Sequence, residues 1–122
     1  MKCECENWRS SVFAMSNRAT NSVSAFAGDA CGALRFVEER VTAGSGTAEA
    51  IVDPLGSQGA LALDGTGRFL FAVNAGNNTV SSFRVKRGDM TLASVLPSGG
   101  VRPVSVAISG NLLYAVNAGD AN

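Results

Sequence analysis

Residues Leu55–Gly76 read LGSQGALALDGTGRFLFAVNAG, and the second half of this stretch returns further along the chain nearly letter for letter. Leu70-Phe71-Ala72-Val73-Asn74-Ala75-Gly76 reappears as Leu113-Tyr114-Ala115-Val116-Asn117-Ala118-Gly119, and a degraded copy stands upstream as Val12-Phe13-Ala14-Met15-Ser16-Asn17. The step from Phe71 to Tyr114 is about 43 residues, within the range where one repeat makes one blade of a β-propeller.

The best-preserved copy predicts four strands. Gly59–Leu63, built from Ala and Leu with little bulk, suits a strand crowded around a central axis. Asp64-Gly65-Thr66-Gly67 is turn chemistry leading into Phe69–Asn74, which is apolar on consecutive positions, as a strand covered on both faces must be. Thr79–Val85, an outer hairpin at Lys86–Asp89 and Thr91–Leu96 follow. Four antiparallel strands are one blade.

Working outward, the upstream copy predicts strands at Val12–Met15, Val23–Phe26 and Leu34–Val41, the last chosen over a short helix by its hairpin context. Downstream, Pro103–Ile108 repeats the inner strand and Leu112–Asn117 the next one. The blades are therefore expected at 12–54, 55–98 and, incomplete, 99–122. Thr42–Leu55, rich in Gly, Ala, Ser and Thr, reads as an insertion, and insertions between blades fall on loops at one face, often the binding face. Residues 1–11 match nothing in the repeat and read as an unstructured lead-in. The fold class is all-β, a propeller fragment of between two and three blades, because a closed ring takes roughly 4 to 8 blades of about 40 residues each.

Composition bounds the function classes. Of 122 residues, 46% are hydrophobic and 16% charged, the balance of a core-forming chain. Ten basic residues offset ten acidic ones, which argues against nucleic acid or an anionic membrane as partner. Met1–Ser10 lacks the apolar run of a signal peptide, so the expected compartment is cytoplasmic, or extracytoplasmic if a leader precedes Met1. No stretch is long and apolar enough to span a bilayer. Cys3 and Cys5 are too close to pair comfortably and Cys31 has no obvious partner, so neither a disulfide framework nor a zinc site is expected. A soft-metal role for the Cys3-Glu4-Cys5-Glu6 cluster is disfavoured by the lack of any histidine, and no metal or cofactor is expected.

Three phrases carry a resemblance: Asp53–Leu61, Phe69–Gly76 and Pro97-Ser98-Gly99-Gly100-Val101-Arg102-Pro103-Val104-Ser105-Val106-Ala107. Over residues 12–122 the chain resembles the lactonase family of seven-bladed β-propellers, with YVTN-type repeats, which includes 6-phosphogluconolactonase-type proteins and fungal 3-carboxymuconate cyclases. The resemblance implies action on a small anionic lactone or muconate-type acid, by hydrolysis or cycloisomerisation, without a cofactor. The chain departs from it in holding few blades and no histidine, and the fragment is expected to be inactive alone. The rival expectation is a non-catalytic binding or scaffold propeller. Open blade edges and faces at each end predict self-association.

Lactone hydrolysis needs a base for water and a donor for the developing oxyanion, whereas cyclisation needs cations for carboxylates and a proton donor. Arg102 precedes an inner strand, where it would hold a carboxylate bidentately or pair with a neighbouring loop. Ser57 and Gln58 occupy the equivalent crossover one repeat earlier, as ligand-orienting or loop-stabilising groups. Glu49 and Asp53 are the carboxylates of the insertion, as general base or as loop charge, Asp53 being also a turn former before Pro54. Asn74 and Asn117 recur at one repeat position and are expected to bond their own turns. Arg87-Gly88-Asp89 is expected to serve as a hairpin turn rather than an adhesion motif, and Asn77-Asn78-Thr79 matters as a glycan acceptor only in a secretory pathway.

Overall fold

A computed structural model describes residues 10–119. The lead-in with Cys3 and Cys5 lies almost wholly outside the described residues. Within them the chain forms nine strands and no helix: β1 (Ser10–Met15), β2 (Ser22–Gly28), β3 (Leu34–Val41), β4 (Leu61–Leu63), β5 (Phe69–Asn74), β6 (Thr79–Lys86), β7 (Asp89–Pro97), β8 (Pro103–Ser109) and β9 (Leu112–Asn117).

The strands make three antiparallel sheets, ordered β1-β2-β3, β4-β5-β6-β7 and β8-β9. The four-stranded sheet is the complete blade. Its register superimposes on that of the first sheet: Leu70 faces Phe83 and Phe83 faces Leu92, as Val12 faces Phe26 and Phe26 faces Phe36. Both sheets carry a bulge at the same place, between Ala25 and Phe26 and between Ser82 and Phe83. An extra residue at one ladder position bends and twists the strand, so each blade turns at its Phe.

Two apolar cores separate the three sheets. Val23 and Ala25 of β2 pack with Leu70 and Ala72 of β5, Phe83 and Met90, flanked by Phe13 and Met15. On the opposite face of the central sheet, Val73, Val80 and Phe71 meet Val106 and Ala115 of the third sheet. The consecutive apolar positions of β5 therefore each have a core to enter, alternating by the strand's period of two.

The strand bounds depart from the sequence reading mainly at hairpins. β6 and β7 run to Lys86 and from Asp89, because Arg87 (φ 53°) and Gly88 (φ 85°) alone make a two-residue turn in which both central residues are left-handed. β4 starts at Leu61 rather than Gly59, whose carbonyl instead accepts from the Val106 amide of the third sheet at 2.8 Å. Cys31 is disulfide-bonded, which corrects the expectation that it has no partner; the other half lies outside the described residues.

Candidate functional site

The loops that return from β3 to β4 and from β7 to β8 emerge at one end of the sheets, together with the β1–β2 and β5–β6 turns. Their first residues form a repeated clasp. The Thr42 amide donates to the Asn21 carbonyl at 2.9 Å, and the Ser98 amide to the Asn78 carbonyl at 2.9 Å. Thr42 Oγ1 then donates to Asn74 Oδ1 at 2.7 Å, as Ser98 Oγ does to Asn117 Oδ1 at 2.7 Å. The Gly76 amide reaches the Ser45 carbonyl at 2.8 Å and the Gly119 amide the Val101 carbonyl at 2.9 Å. Gly44 and Gly100 are required here, since a Cβ at either would run into the Asn74 or Asn117 side chain.

This revises two expectations. Asn74 does not bond its turn but reaches across it to β6, its amide donating to Thr79 Oγ1 at 3.0 Å and Ser81 Oγ at 2.8 Å. Its carbonyl oxygen, however, reaches back to the preceding sheet, accepting from Thr42 and from Asn21 Nδ2 at 3.0 Å. Buried and fully satisfied, it rivets one blade to the next. Thr42–Ser45 belongs to the repeat as the counterpart of Ser98–Val101, so the inserted segment begins only after it.

The insertion that follows is fastened at both ends. At its start, Asn17 Nδ2 donates to Thr47 Oγ1 at 2.7 Å, and the Thr47 amide to Asn17 Oδ1 at 3.0 Å. The Gly46 and Ala48 amides donate to the Arg18 and Asn17 carbonyls at 2.8 and 3.0 Å. Its far part is held by Arg102. One guanidinium nitrogen pairs with Glu49 Oε1 at 3.2 Å and the other donates to the Pro54 carbonyl at 2.8 Å. Arg102 is itself set by a left-handed backbone (φ 58°) and by its amide's bond to Asn78 Oδ1 at 2.8 Å. The sequence places Glu49 and Arg102 as separate candidates; the structure joins them.

Between the insertion and β1 lies an open cleft of about 350 Å³. Its walls are Phe13–Met15 and Asn17 on one side and Asp53–Leu55, Ser57, Gln58 and the start of β4 on the other. Asp53 is exposed in a turn, its backbone left-handed (φ 50°) and its carbonyl accepting from the Gly56 amide at 3.1 Å. Ser57 Oγ accepts from the Gly59 amide at 3.2 Å, which orients the hydroxyl, while Gln58 is exposed. Three of the five sequence candidates thus share one cleft, and the other two hold its wall. No cluster of three or more potential metal ligands occurs among the described residues. Sequence reasoning missed Asn17, which closes the cleft's rim. Its only signal is a polar residue at the end of a degraded repeat.

Sheets stacked face to face, with each sheet joined to the next by an outer-to-inner crossover, define a partial β-propeller. No family model and no curated protein matches the chain. Among solved structures the chain is similar to the periplasmic gluconolactonase PpgL of Pseudomonas aeruginosa, at 25% identity and a TM-score of 0.64. The match covers 89% of this chain and 32% of that protein, so the chain spans about a third of the length of the structure it resembles.

Proposed function

We propose that this chain is one sector of a lactone-hydrolysing propeller, and that its contribution is the cleft walled by Asp53, Ser57 and Gln58. The observation that carries the reading is the similarity to a gluconolactonase over 89% of the chain. In this assignment Asp53 accepts a proton from the attacking water, while Ser57 and Gln58 hold the hydroxyls and ring oxygen of a small polyhydroxylated lactone. Arg102 acts indirectly, keeping the Asp53 turn in place through Glu49 and Pro54. A carboxylate alone supplies general-base assistance worth about 10²–10⁴-fold. The oxyanion donors belong to other sectors, so the 122-residue chain binds without turnover. Hydrolysis is favoured over cycloisomerisation because the guanidinium that would hold a muconate carboxylate is already paired with Glu49.

A second reading, a binding module, is favoured by the chemistry of the cleft itself, where Asp53 is the one carboxylate among the described lining residues. The test is nuclear magnetic resonance of the labelled chain titrated with glucono-1,5-lactone, with hydrolysis followed in parallel. Shifts at the Ser57, Gln58 and Gly59 amides, lost in Gln58→Ala and retained in Asp53→Asn, with hydrolysis at the buffer rate, are expected. Shifts absent from these amides remove the lactone reading. Equal shifts with sorbitol, which has no lactone carbonyl, turn the cleft into a polyol-binding module.

A further inference from the structure

Between the two points where Arg102 grips it, the insertion from β3 to β4 carries two adjacent aliphatic residues that point into water. Ile51 is 63% exposed and Val52 98%. Among the described residues no hydrogen bond holds Ala50, Ile51 or Val52. A single exposed valine is ordinary. Here, however, the flanks are fixed, so the pair cannot fall back onto the core. The Ala48 amide is bonded to the Asn17 carbonyl at 3.0 Å, Glu49 pairs with Arg102 at 3.2 Å, and the Pro54 carbonyl accepts from Arg102 at 2.8 Å.

The free tip is therefore Ala50–Asp53, and its last residue lines the cleft. Asp53 has a left-handed backbone (φ 50°) and stands directly before Pro54. A proline ring drives the residue ahead of it toward the extended region, and the left-handed region is uncommon for any residue but glycine. Asp53 thus occupies the less favoured of two backbone wells, at the joint between the tip and the cleft wall. Strain of this kind gathers at ligand clamps and switch regions.

We propose that Ala50–Asp53 is a lid on the cleft. When the lactone binds, Asp53 passes from the left-handed to the extended region, and Ile51 and Val52 turn from solvent onto the ligand. This rests on the lactone reading above and extends it. Ser57 and Gln58 address the oxygens of the ring, and Phe13, Met15 and Leu55 line the cleft with apolar surface. In the open cleft the ring's outward C–H edges stay in water; Ile51 and Val52 cover them. Closure of a loop over a bound substrate also sequesters the reacting groups from bulk water. Arg102 confines the movement to the tip, since it holds the residues on either side.

Methyl-resolved nuclear magnetic resonance of the labelled chain, titrated with glucono-1,5-lactone, tests the lid separately from the site. The Ile51 and Val52 methyl signals should move and saturate at the same lactone concentration as the Ser57 and Gln58 amides. With Ile51→Ser and Val52→Ser combined, the amides should still move, at a dissociation constant about tenfold higher, as losing part of the burial of two aliphatic side chains implies. The urea midpoint should not change. Amide shifts without methyl shifts, or parent affinity in the double variant, overturn the lid and leave the lactone reading standing. Silence at the amides removes both. If the double variant does not fold, Val52→Ser alone, at a side chain that touches almost nothing, should weaken binding about threefold, and unchanged affinity there overturns the lid.

Discussion

The central sheet and the two that flank it are cut from one repeat, yet the same residue types meet different fates in them. Phe83 is sealed against the first sheet, while its register counterpart Phe26 is only half-buried and meets the exposed Phe36 edge to face, ring centroids 5.8 Å apart and planes at 70°. Leu70 is core and its counterpart Val12 is surface. Burial in a stacked-sheet protein is thus a property of the neighbour rather than of the residue. Each blade's stability is lent by the blades beside it, as in other quasi-one-dimensional repeats.

The sharpest way to break this comparison is to truncate both phenylalanines. Phe83→Ala opens a cavity between two packed sheets and should cost about 3–5 kcal/mol in urea unfolding. Phe36→Ala, measured on dilute monomer, forfeits one edge-to-face pair and should cost about 0.5–1.5 kcal/mol. Equal losses would mean that the outer face of the first sheet is covered after all.

The clasp offers a second pair. Asn74 is buried and exchanges hydrogen bonds with Thr42, Asn21, Thr79 and Ser81. Replacing it with Ala strands several of these groups, each costing about 1–3 kcal/mol when left unsatisfied and buried, for an expected loss of about 3 kcal/mol. Among the described residues Asn117 trades bonds with Ser98 alone, at 2.7 and 3.2 Å, and it is half-buried. Its removal should cost about 1 kcal/mol, because water replaces what is lost. A larger loss at Asn117 would show that the third sheet leans on its clasp more than on its core.

How far the sequence foretold these differences depends on the distance over which each is written. β3, β5 and β9 fall where alternation and the 43-residue repeat put them, since a strand's apolar pattern is local. The two-residue turn at Arg87-Gly88 shifts its flanking strands because an Arg in the left-handed region carries no sequence mark. The Thr42–Asn74 and Arg102–Glu49 contacts join residues 32 and 53 positions apart; each side chain was legible as polar, and their pairing was not. Of the site, the sequence picked out the loops and the residue types, but placing Asp53, Ser57 and Gln58 in one cleft required the insertion's two anchors, Asn17 and Arg102.

The smallest expected effect separates the inner turns of the central and third sheets. Between β4 and β5, Asp64 organises the turn: Oδ2 accepts from Thr66 Oγ1 at 2.7 Å, and Oδ1 accepts from the Arg68 and Phe69 amides at 3.0 and 3.1 Å. Between β8 and β9 the turn is Gly110-Asn111, with Gly110 left-handed (φ 59°) and no carboxylate involved. The hydrogen bond from Thr66 is the largest influence on the Asp64 carboxyl; desolvation, next in size, opposes it, and the backbone amides that follow leave the group below its ordinary value of 3.8. A carboxyl that is more acidic folded than unfolded lends stability above the unfolded value and withdraws it as pH falls through the folded one. The urea midpoint should therefore decline below about pH 4, and Asp64→Asn should flatten part of that decline while lowering stability slightly at neutral pH. An unchanged acid limb in Asp64→Asn would assign the decline to other carboxylates and leave the two turns equivalent in their response to acid.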